Sequence, residues 1–142
     1  MNDKEPEMVI DTDRARIDVA LVHRYLSQES YWAQGIDIDT VRKAIQNSLC
    51  FGGYLDGRQV AFGRVVTDYA TSGHLKDVFV MSAFRGRGFG KILVEAMVSH
   101  PQVRDLQLSL ATDDTHWLYA RYGFILHPHP ERAMVRIVDR PA

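Results

Sequence analysis

The stretch that decides the fold runs Asp77-Val78-Phe79-Val80-Met81-Ser82-Ala83-Phe84-Arg85-Gly86-Arg87-Gly88-Phe89-Gly90-Lys91-Ile92-Leu93. Its pattern predicts a strand, a glycine-rich turn and a helix that starts near Gly88. Glycine at every second position lets a ligand approach the main chain, because no Cβ stands in its way. The first N–H groups of the helix lack intrahelical partners and, with the helix dipole, favour an anion. Since Arg85, Arg87 and Lys91 add positive charge, the stretch predicts a pyrophosphate site.

Two common phosphate-binding patterns do not fit this turn. The dinucleotide pattern G-x-G-x-x-G needs glycine at position 91, where the chain has lysine. The Walker A pattern needs glycine at 85 and Ser or Thr at 92, where the chain has Arg85 and Ile92, which disfavours a nucleotide-dependent phosphotransferase. The pattern R/Q-x-x-G-x-G/A does fit residues 85–90. In this loop the sequence resembles the GNAT superfamily of acetyl-CoA-dependent N-acyltransferases.

A second stretch, residues 112–124, resembles the same family. The family signature N-x-x-A-x-x-L/F-Y-x-x-x-G-F is matched at Leu118, Tyr119, Gly123 and Phe124. Thr112 and Thr115 stand where the family has asparagine and alanine, which affects side-chain contacts to the cofactor arm rather than the helix itself. The two signatures occur in the expected order with one predicted strand between them, so the resemblance extends over nearly the whole chain.

The composition is that of an ordinary globular protein. The chain has 142 residues, 46% hydrophobic and 25% charged, with a formal net charge of −1. We therefore expect one N-acetyltransferase domain over residues 1–142 and no nucleic-acid partner. A single cysteine, Cys50, excludes an internal disulfide and suits a cytoplasmic protein. Since no apolar run approaches the ~20 residues of a membrane span, we expect no membrane contact.

Hydrophobic spacing and turn residues predict the element order β-α-α-β-β-β-α-β-α-β-β, which is also the GNAT order. Predicted strands cover residues 8–10, 50–55, 59–67, 74–81, 106–111, 124–126 and 133–138. Predicted helices cover residues 16–26, 39–48, 88–100 and 112–122. We expect Asp39 or Thr40 to cap the second helix and Thr112 or Asp113 the fourth. The resemblance implies an α/β fold of the α+β type, with a mixed, mostly antiparallel twisted sheet splayed between strands 4 and 5 and about four flanking helices.

The resemblance also implies acetyl-CoA as cofactor and no metal. Its pantetheine arm is expected between strands 4 and 5, paired with main-chain groups near Val80 and Met81 that polarise the acetyl carbonyl. The pyrophosphate is expected on the N–H groups of residues 86–91. The implied cofactor contacts are Phe79, Val80, Met81, Arg85, Gly86, Arg87, Gly88, Phe89, Gly90, Lys91, Thr112 and Tyr119.

Tyr119 matches the family tyrosine that faces the sulfur, and the resemblance implies that it protonates the leaving thiolate. The general base is open between Asp77, ranked first, and His116. An unpaired carboxylate in an apolar strand is costly, so Asp77 is either a base or partner of the substrate ammonium, or a structural group that pairs with Arg64 or Lys76 or caps the main chain. His74 has the opposite strand parity from Asp77, so at most one of them is expected to face the amine.

Four further residues are expected at the acceptor pocket: Tyr31, Trp32, Arg64 and Asp68. Tyr31 and Trp32 are large aromatic residues in the break between the first two helices, where they either bind an acceptor or cover the core. The acceptor is expected to be a primary amine of a small molecule or a protein, and the chain a monomer or homodimer. The alternative function is a non-catalytic acyl-CoA-binding or sensing module of the same fold.

Overall fold

The computed structural model describes residues 7–138. Five strands form one sheet in the order β1-β2-β3-β4-β5. They are β1 (Val9–Asp11), β2 (Leu49–Leu55), β3 (Arg58–Thr67), β4 (Ser72–Val80) and β5 (Gln107–Ser109). Neighbouring strands are antiparallel except β4 and β5, which are parallel. The predicted mixed, mostly antiparallel sheet is therefore confirmed.

Four α-helices flank the sheet: α1 (Val19–Arg24), α2 (Ile38–Gln46), α3 (Phe89–Ser99) and α4 (His116–Ala120). Apolar side chains of α1 and α2 pack on one face of the sheet, against Cys50, Phe62 and Phe79. Apolar side chains of α3 and α4 pack on the other face with Phe51 and Val65. The alternation of side chains along β2 and β3 thus supplies two cores from one sheet.

The helix boundaries differ from the prediction in three places. The first predicted helix is divided into a 3-10 turn (Arg14–Arg16), α1 and a π-helical turn (Tyr25–Glu29). Asp37, and not Asp39 or Thr40, caps α2, because its carboxylate accepts from the Asp39 amide. Thr115 is the N-cap of α4, while Thr112 accepts from the Thr115 amide within the preceding turn. The two N-caps thus lie two or three positions from the predicted ones.

The Asp56-Gly57 hairpin between β2 and β3 forms as predicted. Asp56 has a φ of 50° and Gly57 a φ of 79°. Two consecutive residues in the left-handed region define the turn type whose twist matches that of the flanking strands. This turn fixes the register in which β3 starts to pair with β2, with Leu55 opposite Arg58.

A β-bulge interrupts β4 where it faces the predicted site. Two residues of β4, Asp77 and Val78, lie opposite the single residue Gly63 of β3, between the flanking pairs Arg64–Lys76 and Phe62–Phe79. Asp77 has a φ of 55°, in the left-handed region that aspartate tolerates better than most residues. Because of this extra residue, the alternation of side chains between the two faces of the sheet is displaced by one sequence position after the bulge.

The sheet is splayed between β4 and β5. The two strands pair at three positions: Ser72 with Gln107, Gly73 with Leu108 and His74 with Ser109. Beyond His74, β4 continues alone on this side to Val80. The predicted gap between strands 4 and 5 is therefore present.

The two predicted closing strands, 124–126 and 133–138, do not form. Within residues 7–138 neither segment pairs with a strand, and every residue from Ile125 to Val138 is exposed. Only a 3-10 turn, Pro130–Arg132, interrupts this extended segment. Strand-like composition was the basis of the prediction, but a strand also needs an adjacent edge to pair with. In the part of the chain that is described, no helix is both long and apolar enough to cross a membrane.

Candidate active site

A cavity of about 760 Å³ opens between β4, the end of β5 and the segment that follows α1. The sequence-predicted residues in its wall are Tyr31, Trp32, Arg64, Asp77, Thr112 and Tyr119. His74 lines the cavity too, so the expectation that at most one of His74 and Asp77 faces it is wrong. The bulge is the reason, because it breaks the alternation on which that expectation depended.

Asp77 is the centre of a hydrogen-bonded network in this wall. Its Oδ2 accepts from Arg64 Nε at 2.8 Å, and its Oδ1 accepts from Trp32 Nε1 at 2.8 Å. Arg64 Nη1 also donates to Ser48 Oγ at 2.9 Å. Since the Arg64 and Asp77 side chains are only 11% and 9% exposed, the pair is poorly screened by water. The structural partnership considered for Asp77 is thus present, with Arg64.

The aromatic residues Tyr31 and Trp32 lie at the cavity because of the way α1 ends. The π-helical turn closes with a bond from the Ser30 amide to the Tyr25 carbonyl at 2.9 Å, after which the chain turns away from the helix. The Tyr31 and Trp32 rings then meet edge to face, with centroids 5.0 Å apart. Both side chains stay substantially exposed, so they border the cavity rather than close the core.

Tyr119 is the buried phenol of the site. It lies on α4, is 9% exposed and packs edge to face on Phe124 with ring centroids 5.9 Å apart. Burial, with a smaller contribution from Tyr31, raises the pKa of Tyr119 to about 12. At neutral pH its hydroxyl is therefore fully protonated and able to donate a proton into the cavity.

His74 is the imidazole in the cavity wall. Its Nδ1 lies 2.8 Å from Ser109 Oγ, across the β4–β5 pairing. Burial, together with the positive charges of Lys76 and Arg64, lowers the pKa of His74 below its ordinary value. The ring is consequently neutral at physiological pH, which is the state that can accept a proton.

The glycine-rich loop lies beyond the end of β4, outside the cavity wall. Gly86 and Gly88 have φ values of 77° and 82°, and a Cβ added at either would meet no atom within 4 Å. Gly88 is the N-cap of the eleven-residue helix α3, and no side chain caps the first N–H groups. These groups therefore face open space bordered by Arg87 and Lys91, which are exposed.

The main chain at the end of β4 faces the gap. The Met81 amide donates to the Val60 carbonyl at 2.8 Å, and Ala61 lies opposite Val80. In an antiparallel ladder this makes Ala61 and Val80 a non-hydrogen-bonded pair, so the N–H and C=O of Val80 point away from β3 towards the β5 side. The Val80 carbonyl accepts from Arg85 Nε at 3.1 Å.

The sequence model of the acetyltransferase (GNAT) domain matches residues 46–126. A candidate acetyltransferase of Gibberella zeae is 30% identical over 133 residues, covering 78% of this chain and 75% of that protein. The chain belongs to the GNAT acetyltransferase family.

Solved GNAT structures show the same fold. A Xanthomonas campestris protein, described as a GNAT-family acetyltransferase, is 48% identical and superimposes with a TM-score of 0.90 over 95% of this chain and 96% of that one. Because the uncovered part is so small, this alignment extends into the residues after Phe124. A Clostridium acetobutylicum protein described as an acetyltransferase with acetyl-CoA has 17% identity and a TM-score of 0.67 over 93% of this chain and 96% of that one. This second likeness concerns the fold alone.

One residue that adjoins the candidate site, Tyr25, could not be predicted from the sequence. Tyr25 stacks on Phe79 with ring centroids 3.9 Å apart and planes 5° from parallel. Its hydroxyl accepts from Arg85 Nη2 at 2.6 Å. Tyr25 therefore connects the first helical segment to the start of the glycine loop. Only its helical position was evident beforehand, because the partner is 60 residues away.

Two residues predicted for the candidate site, Asp68 and His116, do not line the cavity. Asp68 is exposed and caps its own loop, where its carboxylate accepts from the amides of Ala70 and Thr71 and from the Thr71 hydroxyl. The Thr71 hydroxyl bond and these amide bonds hold the pKa of Asp68 far below its ordinary range. His116 is the first residue of α4, is exposed, and does not line the cavity.

Proposed function

We propose that this GNAT protein transfers an acetyl group from acetyl-CoA to a primary amine, with Tyr119 as the general acid. The observation that carries the proposal is the position of Tyr119, a buried and protonated phenol in the wall of a cavity that adjoins the β4–β5 gap. A pKa of about 12 keeps its proton in place until a thiolate develops beside it.

The glycine loop fits the pyrophosphate of acetyl-CoA. At Gly86 and Gly88 the left-handed main chain and the absence of Cβ atoms leave the space above the loop open. The uncapped N-terminus of α3 supplies hydrogen-bond donors and a partial positive charge for an anion. Arg87 and Lys91 add full charges at the same edge. When bound, acetyl-CoA supplies the activated thioester; the chain supplies its positioning.

Val80 is proposed as the group that polarises the acetyl carbonyl. Its N–H points towards the gap, as the register with Ala61 requires, whereas the Met81 amide is already bonded to Val60. A fixed main-chain donor can stabilise the negative charge that develops on the carbonyl oxygen without reorganising. Of the two main-chain donors expected near Val80 and Met81, we therefore propose the N–H of Val80.

Asp77 and His74 are the two groups of β4 in the cavity wall that can accept the amine proton. Both oxygens of Asp77 already accept hydrogen bonds, one from a guanidinium cation, so protonation of this carboxylate would weaken its ion pair with Arg64. His74 is neutral, and among residues 7–138 its ring is hydrogen-bonded through Nδ1 to the Ser109 hydroxyl. We therefore propose His74 as the proton acceptor and Asp77 as the residue that positions Trp32 and Arg64.

The charges around the cavity favour a cationic acceptor. Asp37, Asp113 and Asp114 line it, whereas Arg64 is neutralised by Asp77 and Lys76 is the remaining lysine or arginine of the wall. The exposed rings of Tyr31 and Trp32 can face an ammonium group through their π surfaces. The proposed substrate class is accordingly a small amine that carries a further positive charge, such as a polyamine or a basic amino acid derivative.

The test is a combined binding and turnover measurement on the full chain. Acetyl-CoA at 100 times its dissociation constant should stabilise the protein by about 2.7 kcal/mol. Free thiol should then be released with cationic amines and much less with neutral or anionic amines of similar size. Stabilisation without thiol release from any amine would support the sensing module instead, and an absence of stabilisation would refute the cofactor assignment.

A further inference from the structure

The side chain of Arg85 is turned back onto the end of β4. Its Nε donates to the Val80 carbonyl at 3.1 Å, and its Nη2 donates to the Tyr25 hydroxyl at 2.6 Å. Two of the three guanidinium nitrogens are therefore hydrogen-bonded within the protein. The resemblance implied a cofactor contact for Arg85, but in the structure its charge also lies beside the main chain of β4.

Tyr25 is a rigid support for this guanidinium. Its ring is buried and stacks on Phe79, the neighbour of Val80, with centroids 3.9 Å apart and planes 5° from parallel. The ring of Trp32, which borders the cavity, lies with its centroid 6.4 Å from that of Tyr25. Because close packing allows such a ring little movement, the hydroxyl accepts from Arg85 at a fixed position.

The Tyr25 hydroxyl holds Arg85 without cancelling its charge. Burial, partly offset by the charge of Arg85, raises the pKa of Tyr25, so the phenol is neutral at neutral pH. Arg64 is different, because its partner at 2.8 Å is the carboxylate of Asp77 and the pair has no net charge. A cation with a neutral partner is therefore fixed at the end of β4.

This cation lies where the Val80 main chain faces the gap. The N–H and C=O of Val80 both point away from β3, as its pairing with Ala61 requires. The N–H is the proposed donor to the acetyl oxygen, whereas the partial negative charge of the carbonyl on the same side opposes a developing oxyanion. The bond from Arg85 offsets that charge. Because the benefit grows as negative charge develops, it belongs to the transition state.

We propose that Tyr25 is a positioning residue for acetyl transfer, which holds the Arg85 guanidinium on the Val80 carbonyl so that this main chain presents a positive potential to the developing oxyanion. The inference rests on the proposed function, since it concerns the transfer step. It gives the first helical segment a role in that step. Loss of the Tyr25 hydroxyl should accordingly lower kcat and leave the affinity for acetyl-CoA almost unchanged.

The test compares Tyr25→Phe with Tyr54→Phe in the full chain. Tyr25→Phe keeps the ring on Phe79 and removes only the oxygen that accepts from Arg85. It should lower kcat for thiol release by about tenfold, the scale of one hydrogen bond to a charged group, and change the Kd of acetyl-CoA by less than about twofold. Tyr54→Phe is the matched control, because that buried hydroxyl donates to the Arg16 carbonyl at 3.0 Å, outside the cavity wall. An equal loss of kcat in both variants would overturn the inference.

A double-variant cycle tests whether the hydroxyl acts through Arg85. Arg85→Met removes the charge and keeps an unbranched side chain. Tyr25→Phe should lower kcat in the parent but should have no further effect in the Arg85→Met background, because the two groups act as one unit. Losses that multiply in the double variant would show that the hydroxyl acts independently of Arg85 and would overturn the inference.

A measurement on the free protein separates this inference from the proposed function. The Nε–H signal of Arg85 in an NMR spectrum of the isotope-labelled protein is assigned by its loss in Arg85→Met. Its hydrogen exchange with water should be about tenfold or more faster in Tyr25→Phe and unchanged in Tyr54→Phe. Unchanged exchange or an unchanged kcat in Tyr25→Phe would overturn the inference and leave the proposed function intact. Absence of thiol release from the parent with every amine would overturn the proposed function, and with it the role of Tyr25 in transfer, whatever the exchange result.

Discussion

The guanidinium of Arg64 and the carboxylate of Asp77 form a 2.8 Å ion pair in the cavity wall, with about a tenth of each side chain exposed. In the β3–β4 register Arg64 lies opposite Lys76, and the bulge brings the next residue, Asp77, within reach. An ion pair from which water is largely excluded is costly to break from one side, because the remaining charge is left uncompensated.

Replacing Asp77 with asparagine should therefore destabilise the fold. Asp77→Asn keeps the shape and an acceptor for Trp32 but leaves Arg64 without a counter-charge. We expect a loss of about 3 kcal/mol in the free energy of unfolding, measured in urea. Asp39→Asn is the matched control, since Asp39 pairs with Arg42 at the surface, where the side chains are 83% and 53% exposed. It should cost less than about 1 kcal/mol. Equal losses would show that the burial of the Arg64–Asp77 pair has no energetic consequence.

Removing the hydroxyl of Tyr119 should affect turnover without affecting cofactor binding. Tyr119→Phe is expected to lower kcat by about 10²-fold or more, the scale of a lost general acid, with an unchanged Kd for acetyl-CoA. Tyr122→Phe provides the control, because the Tyr122 hydroxyl donates to the Lys91 carbonyl at 2.9 Å, away from the cavity. Similar kcat values for the two variants would exclude the acid role of Tyr119.

The pH dependence should identify the proton acceptor. Because the pKa of His74 is lowered, kcat/KM should be constant near neutrality and fall only below pH ~6.5. His74→Gln should reduce the rate and remove this acidic limb, whereas His23→Gln, outside the cavity wall, should leave the profile as it is. If Asp77→Asn removes the limb and His74→Gln does not, Asp77 is the acceptor.

The same group contributes to stability. A lowered pKa in the folded state means that the unfolded chain binds more protons between the folded pKa and ~6.5. The free energy of unfolding should therefore decline as the pH falls through this window, and His74→Gln should remove that contribution.

A comparison of alanine substitutions at Gly88 and Gly57 should distinguish an effect on cofactor binding from an effect of backbone strain alone. Gly88 and Gly57 have φ values of 82° and 79°, and at both an added Cβ meets no atom within 4 Å. Alanine at either position should cost about 1–2 kcal/mol of stability. Only Gly88→Ala should also raise the Kd of acetyl-CoA, by about tenfold or more, because its methyl group occupies the space above the loop. Calorimetric titration with acetyl-CoA measures the Kd of each variant. Equal Kd values for the two variants would show that the pyrophosphate does not bind above Gly88.

Local sequence patterns predicted much of the fold. The Asp56-Gly57 turn, the glycine loop before α3 and the left-handed Gly123, whose φ is 88°, follow from residues within a few positions of each other. The prediction of two closing strands was wrong, because the composition of residues 133–138 indicates a strand but does not specify the sheet edge with which it pairs. The parity argument at His74 and Asp77 failed because a bulge depends on the register of two strands, which no single strand encodes.

The candidate site was predictable where it follows the family signatures and not where it depends on distant contacts. Tyr119 was found through its motif, and Tyr31 and Trp32 through their place between helices. Tyr25 was missed because its bond to Arg85 joins residues 60 positions apart. Asp68 was included because of its position at the end of a strand, whereas its carboxylate serves its own loop.

The bulge in β4 also bears on how this strand tolerates changes in length. Leu75 before it and Val78 and Val80 after it all belong to the core on the α3 side, while Phe79 belongs to the opposite core. If Asp77 is omitted, these side chains alternate as in an uninterrupted strand. Asp77 is thus an insertion that adds a carboxylate to the cavity without altering the packing of either core. A deletion of this single residue should leave a regular sheet in which Arg64 lacks its carboxylate partner. The cavity can therefore be changed at this position without changing the core packing of the sheet.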